Sequence, residues 1–363
     1  MPLFMDFHKM ENVSIEAVKN AHLMDVEIQE KYGVKYHQYW VNEAAGTIFC
    51  LTEGPDKESC EAVHRDSHGN SACAITQVDG GFYTALMGNG LIVDKEGLVH
   101  TEQGTVDQGY RSLVTISAFL INNKDASSLT QDQLQQFISG KIILYKGREI
   151  NTEPGNYTVV VFNNSLQAID FAFAVKEKLE EYNNGKEQLI LKIGISASQP
   201  VTASGDFFKG AIKQSQQLCS IANEGSIFIS ALVERLSRTN PKLKENSALR
   251  ILNEEEELFL SQLLTITNAN ISDDNFGVDK LSTEVCISRT QLYRKITSLS
   301  GRSPHDLIHD LRMHKALTLL KRKSGNITEI AFEAGFSSPS YFTKCFTEKF
   351  GCTPSVFARH QSS

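Results

Sequence analysis

The first 83 residues alternate between strand-like runs and segments with helical spacing of apolar positions. Ser14 and Asp56 are placed to open two helices, and Gly33 and Gly69 to end them. In the second strand-like run, alternation predicts Tyr36, Gln38 and Trp40 on one face. The runs follow one another in the order β-α-β-β-α-β, over 3–7, 15–28, 34–41, 47–53, 56–68 and 74–78. This order predicts a ferredoxin-like domain with both helices on one face of its sheet.

The middle of the chain, from about 107 to 250, also contains both strand-like runs and segments with helical spacing of apolar positions. RSLVTISAFLI predicts a buried strand, and LTQDQLQQFISG predicts a helix that ends at Gly140. KIILYKGREI and EPGNYTVVVF predict two more strands with a polar turn between them, and Ser165 to Tyr182 predicts an amphipathic helix. Strands and helices continue to alternate up to residue 250, which predicts an α/β sandwich.

The last block, 254–363, predicts helices only. NEEEELFLSQLLTITNAN predicts an amphipathic helix with Leu258, Phe259, Leu263 and Ile266 in step. LSTEVCISRTQLYRKI and IAFEAGFSSPSYFTKCF then repeat one layout: a short helix, a tight turn, a serine N-cap and a second helix. This is a helix-turn-helix stated twice. Between the units, SPHDLIHDLRMHKALTLLKR predicts one long helix that sets their spacing, so that two recognition helices could enter major grooves roughly 34 Å apart.

The predicted fold class is therefore multidomain α+β. We expect a ferredoxin-like domain, a linker, an α/β sandwich and an all-α double helix-turn-helix domain, over 1–83, 84–106, 107–250 and 254–363 respectively.

The charge is divided unevenly between these blocks. The whole chain carries a formal net charge of -7, whereas the segment from Asn275 to Ser363 has 13 Lys+Arg and 7 Asp+Glu and is therefore +6, which leaves -13 for the rest. A basic end on an acidic body indicates a polyanion partner for that end, although a solvated basic face gives the same count.

The seven cysteines are far apart, with no CxxC spacing, and no apolar run is long enough to cross a bilayer. The start of the chain shows neither a basic segment nor an apolar core of a signal peptide. We therefore expect reduced thiols, a cytoplasmic location and no membrane partner.

Histidines concentrate in the first block. His64 and His68 are four residues apart on the second predicted helix, and His22 and Asp25 are three apart on the first, so each pair shares a face. Such spacing suits a transition metal, although surface histidines would produce the same pattern.

The segments AHLMD, YGVKYHQYW, IFCLTEGPD and VHRDSHG resemble a family of small ferredoxin-like nickel-binding proteins, and the resemblance covers nearly the whole block. It implies a nickel site, for which zinc and copper remain alternatives. The positions that match the recurring polar residues of the family are His8, His22, Asp25, Cys50, His64 and His68.

The segments LKIGISASQPVTASGDFFKGAI and LCSIANEGSIFIS resemble the catalytic domain of class III nucleotide cyclases. Such a cyclase needs two metal-binding carboxylates and, on a late helix, an Asn and an Arg four residues apart. Here the corresponding places hold Ile116 and its neighbours, Asn156, Lys213 and Gln217. None of these supplies an anionic ligand or a guanidinium. We expect no cyclase activity and no nucleotide cofactor, and either a ligand-binding cleft or a folded spacer.

The segments SRTQLYRKI, RMHKALTLL, ITEIAFEAGFSSPSYFTKCFTEKFG and CTPSVFAR resemble the AraC/XylS DNA-binding domain, which implies double-stranded DNA as partner. Outward-facing positions on the two recognition helices are the candidate contacts: Ser288, Arg289, Gln291, Arg294, Lys295, Ser337, Ser338, Ser340, Tyr341 and Lys344.

Together these patterns predict a sequence-specific transcription regulator that is not an enzyme. By analogy with cyclase-like domains, which usually pair, we expect a homodimer, and a metal or a small molecule as effector. The alternative is a nucleotide cyclase, or another nucleotide-turnover enzyme, with an attached DNA-binding module.

Overall fold

The computed structural model describes residues 1–121, 131–151, 157–182, 188–243 and 246–360. The chain divides into two compact units, each considered by itself below. The first unit comprises 1–112, 161–165 and 197–212, and the second comprises 113–160, 166–196 and 213–363.

The first unit begins with the predicted β-α-β-β-α-β order. Its elements are β1 (Leu3–Lys9), α1 (Ile15–Ile28), β2 (Lys35–Asn42), β3 (Thr47–Glu53), α2 (Lys57–Ser67) and β4 (Ala74–Val78). The strands form an antiparallel sheet in the order β2-β3-β1-β4. Ser14 and Asp56 cap the helices as predicted, since each side chain accepts a hydrogen bond from a backbone N–H of the first turn.

The predicted face of β2 is wrong, because the strand contains a β-bulge. The pairing with β3 shifts by one residue between Tyr36 and Gln38. A bulge inserts one extra residue and so reverses the alternation beyond it. Tyr36, Tyr39 and Val41 consequently pack in one core with residues of both helices. Trp40, between Tyr39 and Val41, is buried on the opposite face.

Residues 84–106, predicted as a linker, contain regular structure. Helix α3 (Gly80–Met87) runs into this segment, and β5 (Ile92–Val93) pairs with β6 (Val99–His100) in a small antiparallel hairpin. The linker and domain boundaries stay predictions.

A six-stranded sheet with helices forms the middle of the chain. The elements are β7 (Arg111–Ile121), α4 (Gln131–Leu144), β8 (Arg148–Ile150), β9 (Thr158–Phe162), α5 (Ser165–Tyr182), β10 (Gln188–Ser198), α6 (Lys209–Ile221), β11 (Ser226–Ile229), α7 (Ala231–Leu236) and β12 (Leu249–Ile251). The strand order is β12-β11-β10-β7-β9-β8, and the β10–β11 and β11–β12 pairs are parallel. The chain is thus a mixed α/β protein in this region.

Helix α4 does not end at Gly140, and KIILYKGREI is not one strand. Leu134, Ile138 and Ile142 are buried at successive spacings of four residues, so the apolar helical face continues past the glycine. That face outweighs the cost of about 1 kcal/mol for a glycine inside a helix. Only Arg148–Ile150 of the predicted strand pairs in the sheet.

The last block is helical. It contains α8 (Glu254–Asn270), α9 (Val278–Glu284), α10 (Arg289–Ser300), α11 (Pro304–Arg322), α12 (Ile327–Glu333), α13 (Pro339–Phe350) and α14 (Pro354–His360). The predicted stripe on α8 is wrong at Leu258, which is 72% exposed. The core side of that helix is instead formed by Leu260, Leu263, Leu264 and Thr267, with Phe259 and Ile266 at its edge.

Both helix-turn-helix units share a core with the middle sheet inside the second unit. Leu292 and Ile296 of α10 pack in one cluster with Leu218 and Phe228 of the α/β region. Phe342 and Phe346 of α13 pack in another cluster that includes Phe119 of β7. Helix α11 contributes buried residues to both clusters and therefore links them. Among the described residues, no helix is long and apolar enough to cross a membrane.

Candidate metal centre and candidate DNA-binding surfaces

A cavity of about 140 Å³ lies in the first unit, between the helices and the sheet of the ferredoxin-like fold. All six metal-ligand candidates line it: His8, His22, Asp25, Cys50, His64 and His68. They come from β1, α1, β3 and α2, together with the residue that follows α2. The helix spacings of three and four residues thus direct Asp25, His64 and His68 to the same space.

His64 lies at the centre of this cavity, between two carboxylates. Its Nε2 is 2.9 Å from Oδ2 of Asp6, and its Nδ1 is 3.1 Å from Oδ2 of Asp25. Burial alone would lower the pKa of His64, but its close contacts with the carboxylates of Asp25 and Asp6 raise it to about 10. Burial likewise acts to raise the pKa values of Asp6 and Asp25, yet the bonds to His64 hold both below their usual range. The raised pKa favours the imidazolium form of His64, between two buried carboxylates.

The other candidates surround this core. His68 Nε2 is 3.3 Å from Oδ1 of Asp25, and His8 Nε2 is 3.6 Å from Oδ1 of Asp6. Burial lowers the pKa values of His8 and His22, which favours their neutral form. Nδ1 of His22 is buried and has no hydrogen-bond partner within the described part of the chain. Burial raises the pKa of the Cys50 thiol well above its usual value.

Asp6 belongs to this site, and the sequence reasoning missed it. It is fully buried, and it accepts a hydrogen bond from the backbone N–H of Cys50 at 2.8 Å as well as contacting His64. The available signal was a single acidic residue inside the apolar strand LFMDFHK, two positions before His8 and therefore on the same face.

The donor set has the chemistry of a transition-metal site. Among the described residues, two groups of three have ligand atoms within 4.8 Å of one another: Asp6 with His8 and His64, and Asp25 with His64 and His68. Imidazole nitrogens with carboxylate oxygens suit nickel, zinc and related divalent ions. His22 and Cys50 line the cavity but fall outside both groups. The residues present therefore fit a bound metal, and His64 would have to give up one of its carboxylate contacts to bind it.

The cyclase-related positions occupy different places. Ile116 is buried in strand β7, where no carboxylate is near by in sequence. Asn156 lies outside the described residues. Lys213 and Gln217, on α6, line a second cavity in the second unit.

The first recognition helix, α10, exposes part of the predicted DNA-contacting set. Arg289, Gln291 and Arg294 are exposed, Lys295 is half-buried, and Leu292 and Ile296 face the core as predicted. Ser288 caps the helix, and the side chain of Gln291 accepts a hydrogen bond from the backbone N–H of Ser288. Ser288 and Gln291 thus form a capping box, which occupies their oxygens.

Acidic side chains already contact two of the basic residues on this helix. The guanidinium of Arg289 pairs with the exposed carboxylate of Asp279. Nζ of Lys295 is 3.2 Å from Oε1 of Glu255 and lies over the ring of Phe259. Exposed pairs of this kind are weak, so they do not prevent either side chain from reaching phosphate.

The second recognition helix, α13, presents shorter side chains. Ser337, Ser340, Tyr341 and Lys344 are exposed. Ser338 is the N-cap of α13, because its side chain accepts a hydrogen bond from the backbone N–H of Tyr341. Its role in this structure is therefore to begin the helix.

Comparison with known proteins finds family matches for two segments of the chain. Residues 281–360 match the family model described as "Helix-turn-helix domain", and residues 4–78 match "Nickel responsive protein SCO4226-like". The C-terminal segment is an AraC-type helix-turn-helix domain, and the N-terminal segment is an SCO4226-like domain. Both resemblances are confirmed, whereas the cyclase resemblance stays a prediction.

Individual proteins are similar to parts of this chain. A 124-residue stretch is 35% identical to Histidine kinase P4 of Formosa agariphila and covers 34% of this chain and 9% of that protein. HTH-type transcriptional regulator ExsA of Pseudomonas aeruginosa is 27% identical over 57% of this chain and 86% of its own length. The crystal structure of SCO4226 from Streptomyces coelicolor A3(2) is 35% identical over 21% of this chain and 94% of that chain, with a TM-score of 0.20. The chain spans at most about half the length of the first curated relatives that it matches.

Proposed function

We propose that this chain is a cytoplasmic, sequence-specific transcription regulator that binds double-stranded DNA through α10 and α13 and a transition metal through its N-terminal domain. The observation that carries the first part is the AraC-type domain, whose two recognition helices expose polar and basic side chains above a buried apolar base. Several relatives are themselves transcriptional regulators.

Some of the candidate DNA contacts cap helices, which leaves fewer candidates for contacts with bases. Ser288, Gln291 and Ser338 hold helix ends, so we assign them to positioning of the helices. Arg289 and Arg294 are exposed and can reach a guanine edge through two parallel hydrogen bonds. Lys295 and Lys344 are assigned to phosphate. The second helix, with Ser337, Ser340 and Tyr341, would contribute more backbone contact than base reading.

Fluorescence anisotropy with DNA from the gene's own upstream region and with scrambled DNA of equal length tests this function. We expect tighter binding to the upstream DNA and an affinity that falls steeply with salt. An Arg289→Ala/Arg294→Ala variant should lose most of the preference, at about 1–3 kcal/mol per base contact. Arg238→Ala, which removes an exposed arginine outside the helix-turn-helix units, is the matched control. Equal binding to both DNAs would contradict the proposal.

The metal part rests on the cavity around His64. Nickel is the first candidate because the domain is SCO4226-like, and zinc is the alternative. The proposed ligand set consists of Asp6, His8, Asp25, His64 and His68. His22 and Cys50 line the same cavity and are additional candidates. Calorimetric titration with Ni²⁺ and Zn²⁺ should give binding that a His64→Ala/His68→Ala variant loses. His37→Ala, half-buried and outside the cavity, should bind as the unaltered protein does.

The middle domain is proposed as a cyclase-like fold without cyclase chemistry, used for homodimerisation or ligand sensing. The support is chemical: Ile116, Asn156, Lys213 and Gln217 offer neither metal-binding carboxylates nor a guanidinium. Incubation with ATP or GTP and Mg²⁺ or Mn²⁺ should yield no cyclic nucleotide. Light scattering of the purified protein should give the mass of a dimer.

A further inference from the structure

We propose that the second unit contains a binding site for a small organic anion, with a carboxylate or a phosphate group, in a cavity walled by α6, α8 and α11. The cavity has a volume of about 360 Å³. That is within the range of cavities that hold metabolite-sized ligands, roughly 300–1,000 Å³. It is distinct from the histidine-lined cavity of the first unit, because the two share no lining residue.

The lining is cationic and rich in hydrogen-bond donors. Lys213 of α6 and Lys315 of α11 both line it, and no carboxylate does so among the described residues. The amides of Gln217 and Asn268 add neutral donors from α6 and α8. Two ammonium groups with amide donors and no acidic side chain form an environment that favours an anion and disfavours a cation.

The two lysines retain donors for a ligand. Nζ of Lys315 donates one hydrogen bond, to Oγ of Ser272 at 2.5 Å, and an ammonium group has three donors. Lys213 is exposed at the rim, and neither lysine has a carboxylate within ion-pair distance in the part of the chain that the structure describes. Their charges are therefore not neutralised locally.

Cationic side chains also lie close to one of the residues that line the cavity. His314 lines the cavity and is itself buried. Burial lowers its pKa, and the charges of Lys192, Lys349 and Arg302 lower it further. Asp310 is the carboxylate that opposes these cations, and it is engaged by all three of them.

The remaining surface suits the organic part of a ligand. The ring of Tyr157 lies parallel to that of His314, with centroids 6.5 Å apart and 18° between their planes. Leu264, Ile271 and Leu311 supply apolar surface on the side of α8 and α11. An inorganic ion would leave these groups in contact with water only, whereas an anion with an apolar or planar portion covers them.

The location connects the site to the DNA-binding units. Helix α11 joins the two helix-turn-helix units and contributes core residues to both. A ligand held between Lys213 of α6 and Lys315 of α11 ties this helix to the α/β region. The effect on DNA affinity rests on the proposed function, whereas the site itself does not.

Calorimetric titration of the whole chain tests the site with citrate, glucose 6-phosphate and adenosine 5′-monophosphate as probes, and with glucose and adenosine as uncharged controls. We expect at least one anion to bind and both uncharged compounds to fail. Citrate against the two phosphate esters distinguishes carboxylate from phosphate recognition. No binding by any of the three anions overturns the proposal.

Variants localise the binding. Lys213→Gln/Lys315→Gln removes both charges at nearly constant size and should weaken the anion about tenfold or more. Gln217→Trp fills the cavity and should weaken it as well, whereas Lys209→Gln, an exposed lysine of α6 outside the lining, should not. Circular dichroism identifies any variant that fails to fold. If one of the two cavity variants does not fold, the affinity of the other tests the proposal. Unchanged affinity in the folded variants overturns the proposal.

Repeating the DNA titration with the bound anion separates the two proposals. An altered DNA affinity supports the coupling, and an unaltered one overturns the coupling while the calorimetry still supports the site. Anion binding by a protein that shows no sequence preference for DNA supports the site and overturns the proposed function.

Discussion

Two ionic clusters of opposite composition stand out among the described residues, one in each unit. In the first unit a single cation, His64, lies between the carboxylates of Asp6 and Asp25. In the second unit a single carboxylate, Asp310, is contacted by three cations: Lys192, Arg302 and Lys349. The first cluster has an excess of acid and the second an excess of base.

The difference shows how surroundings decide the chemistry of one residue type. His64 and His314 are both buried, and burial alone lowers the pKa of each. The two carboxylates raise the pKa of His64 to about 10, whereas burial, together with the neighbouring cations, lowers that of His314 to about 3. Accordingly, Asp25 and His64 of the acid-rich cluster line the cavity proposed to bind a metal cation, whereas the base-rich cluster acts on His314, which lines the cavity proposed to bind an anion.

Removing the lone cation of the first cluster should have the largest effect. His64→Gln leaves the buried carboxylates of Asp6 and Asp25 without their shared partner, which should cost about 4 kcal/mol of unfolding free energy without metal. Urea denaturation followed by fluorescence of Trp40, the one tryptophan and a buried residue of this unit, measures it. His37→Gln should change stability by less than about 0.5 kcal/mol. A loss below about 1 kcal/mol for His64→Gln would mean that this cluster is not ionic.

Removing the lone anion of the second cluster, Asp310, is the corresponding test for that cluster and should also lower the free energy of unfolding. Asp310→Asn leaves three cations without a counter-charge, and we expect a loss of about 3 kcal/mol. The loss should be smaller than for His64 because the Asp310 side chain is 18% exposed. Urea denaturation followed by far-UV circular dichroism measures it. Asp279→Asn, which removes the exposed partner of Arg289, is the control and should be nearly neutral. Equal losses in the two variants would contradict the assignment.

Much of this architecture could be predicted from periodicity. The strand and helix order of the first 78 residues and the two helix-turn-helix units follow from alternation, helical spacing and capping residues alone. The six metal-ligand candidates could be named because they recur at helix spacing or match a family pattern, and the structure brings them to one cavity.

The parts that could not be predicted depend on tertiary contacts. A bulge in β2 has no local signal in YHQYW, and Leu258 is as apolar as the leucines that are buried beside it. Asp6 is 58 residues from His64, and Asp310 is 39 residues from Lys349, although it is only eight from Arg302. Gly140 predicts a helix end, but the packing of Ile138 and Ile142 continues the helix through it.

Low pH should destabilise the second unit through His314, whose pKa is lowered by burial and by the cations of the base-rich cluster. Its pKa of about 3 in the folded protein is below the unfolded value of about 6.5, so the unfolded chain binds more protons between these limits. Stability should therefore fall as pH drops from about 6.5, at up to about 1.4 kcal/mol per pH unit from this group. Lys192, Arg302 and Lys349 oppose its protonation, and Asp310 favours it.

The matched variants isolate that contribution from the other titrating groups. His314→Gln should flatten the fall in unfolding free energy between about pH 6.5 and 5, whereas His305→Gln, an exposed histidine of the same helix, should leave the slope unchanged. Urea denaturation at several pH values measures the slopes. The same slope in both variants would show that His314 is not held neutral by its surroundings.

The smallest expected effect concerns the proposed DNA-binding surface, where acidic and basic side chains contact one another in solvent. Glu255 contacts Lys295, and an exposed pair of this kind is worth about 0–1 kcal/mol. Glu255→Gln frees Lys295 for a phosphate and should tighten DNA binding a few-fold, with a steeper dependence on salt. Glu177→Gln removes the same charge from an exposed position of α5 and controls for net charge. If both variants tighten binding equally, the effect comes from overall charge and Lys295 is not a phosphate contact. If only Glu255→Gln does so, Lys295 is a phosphate contact that Glu255 restrains in the free protein.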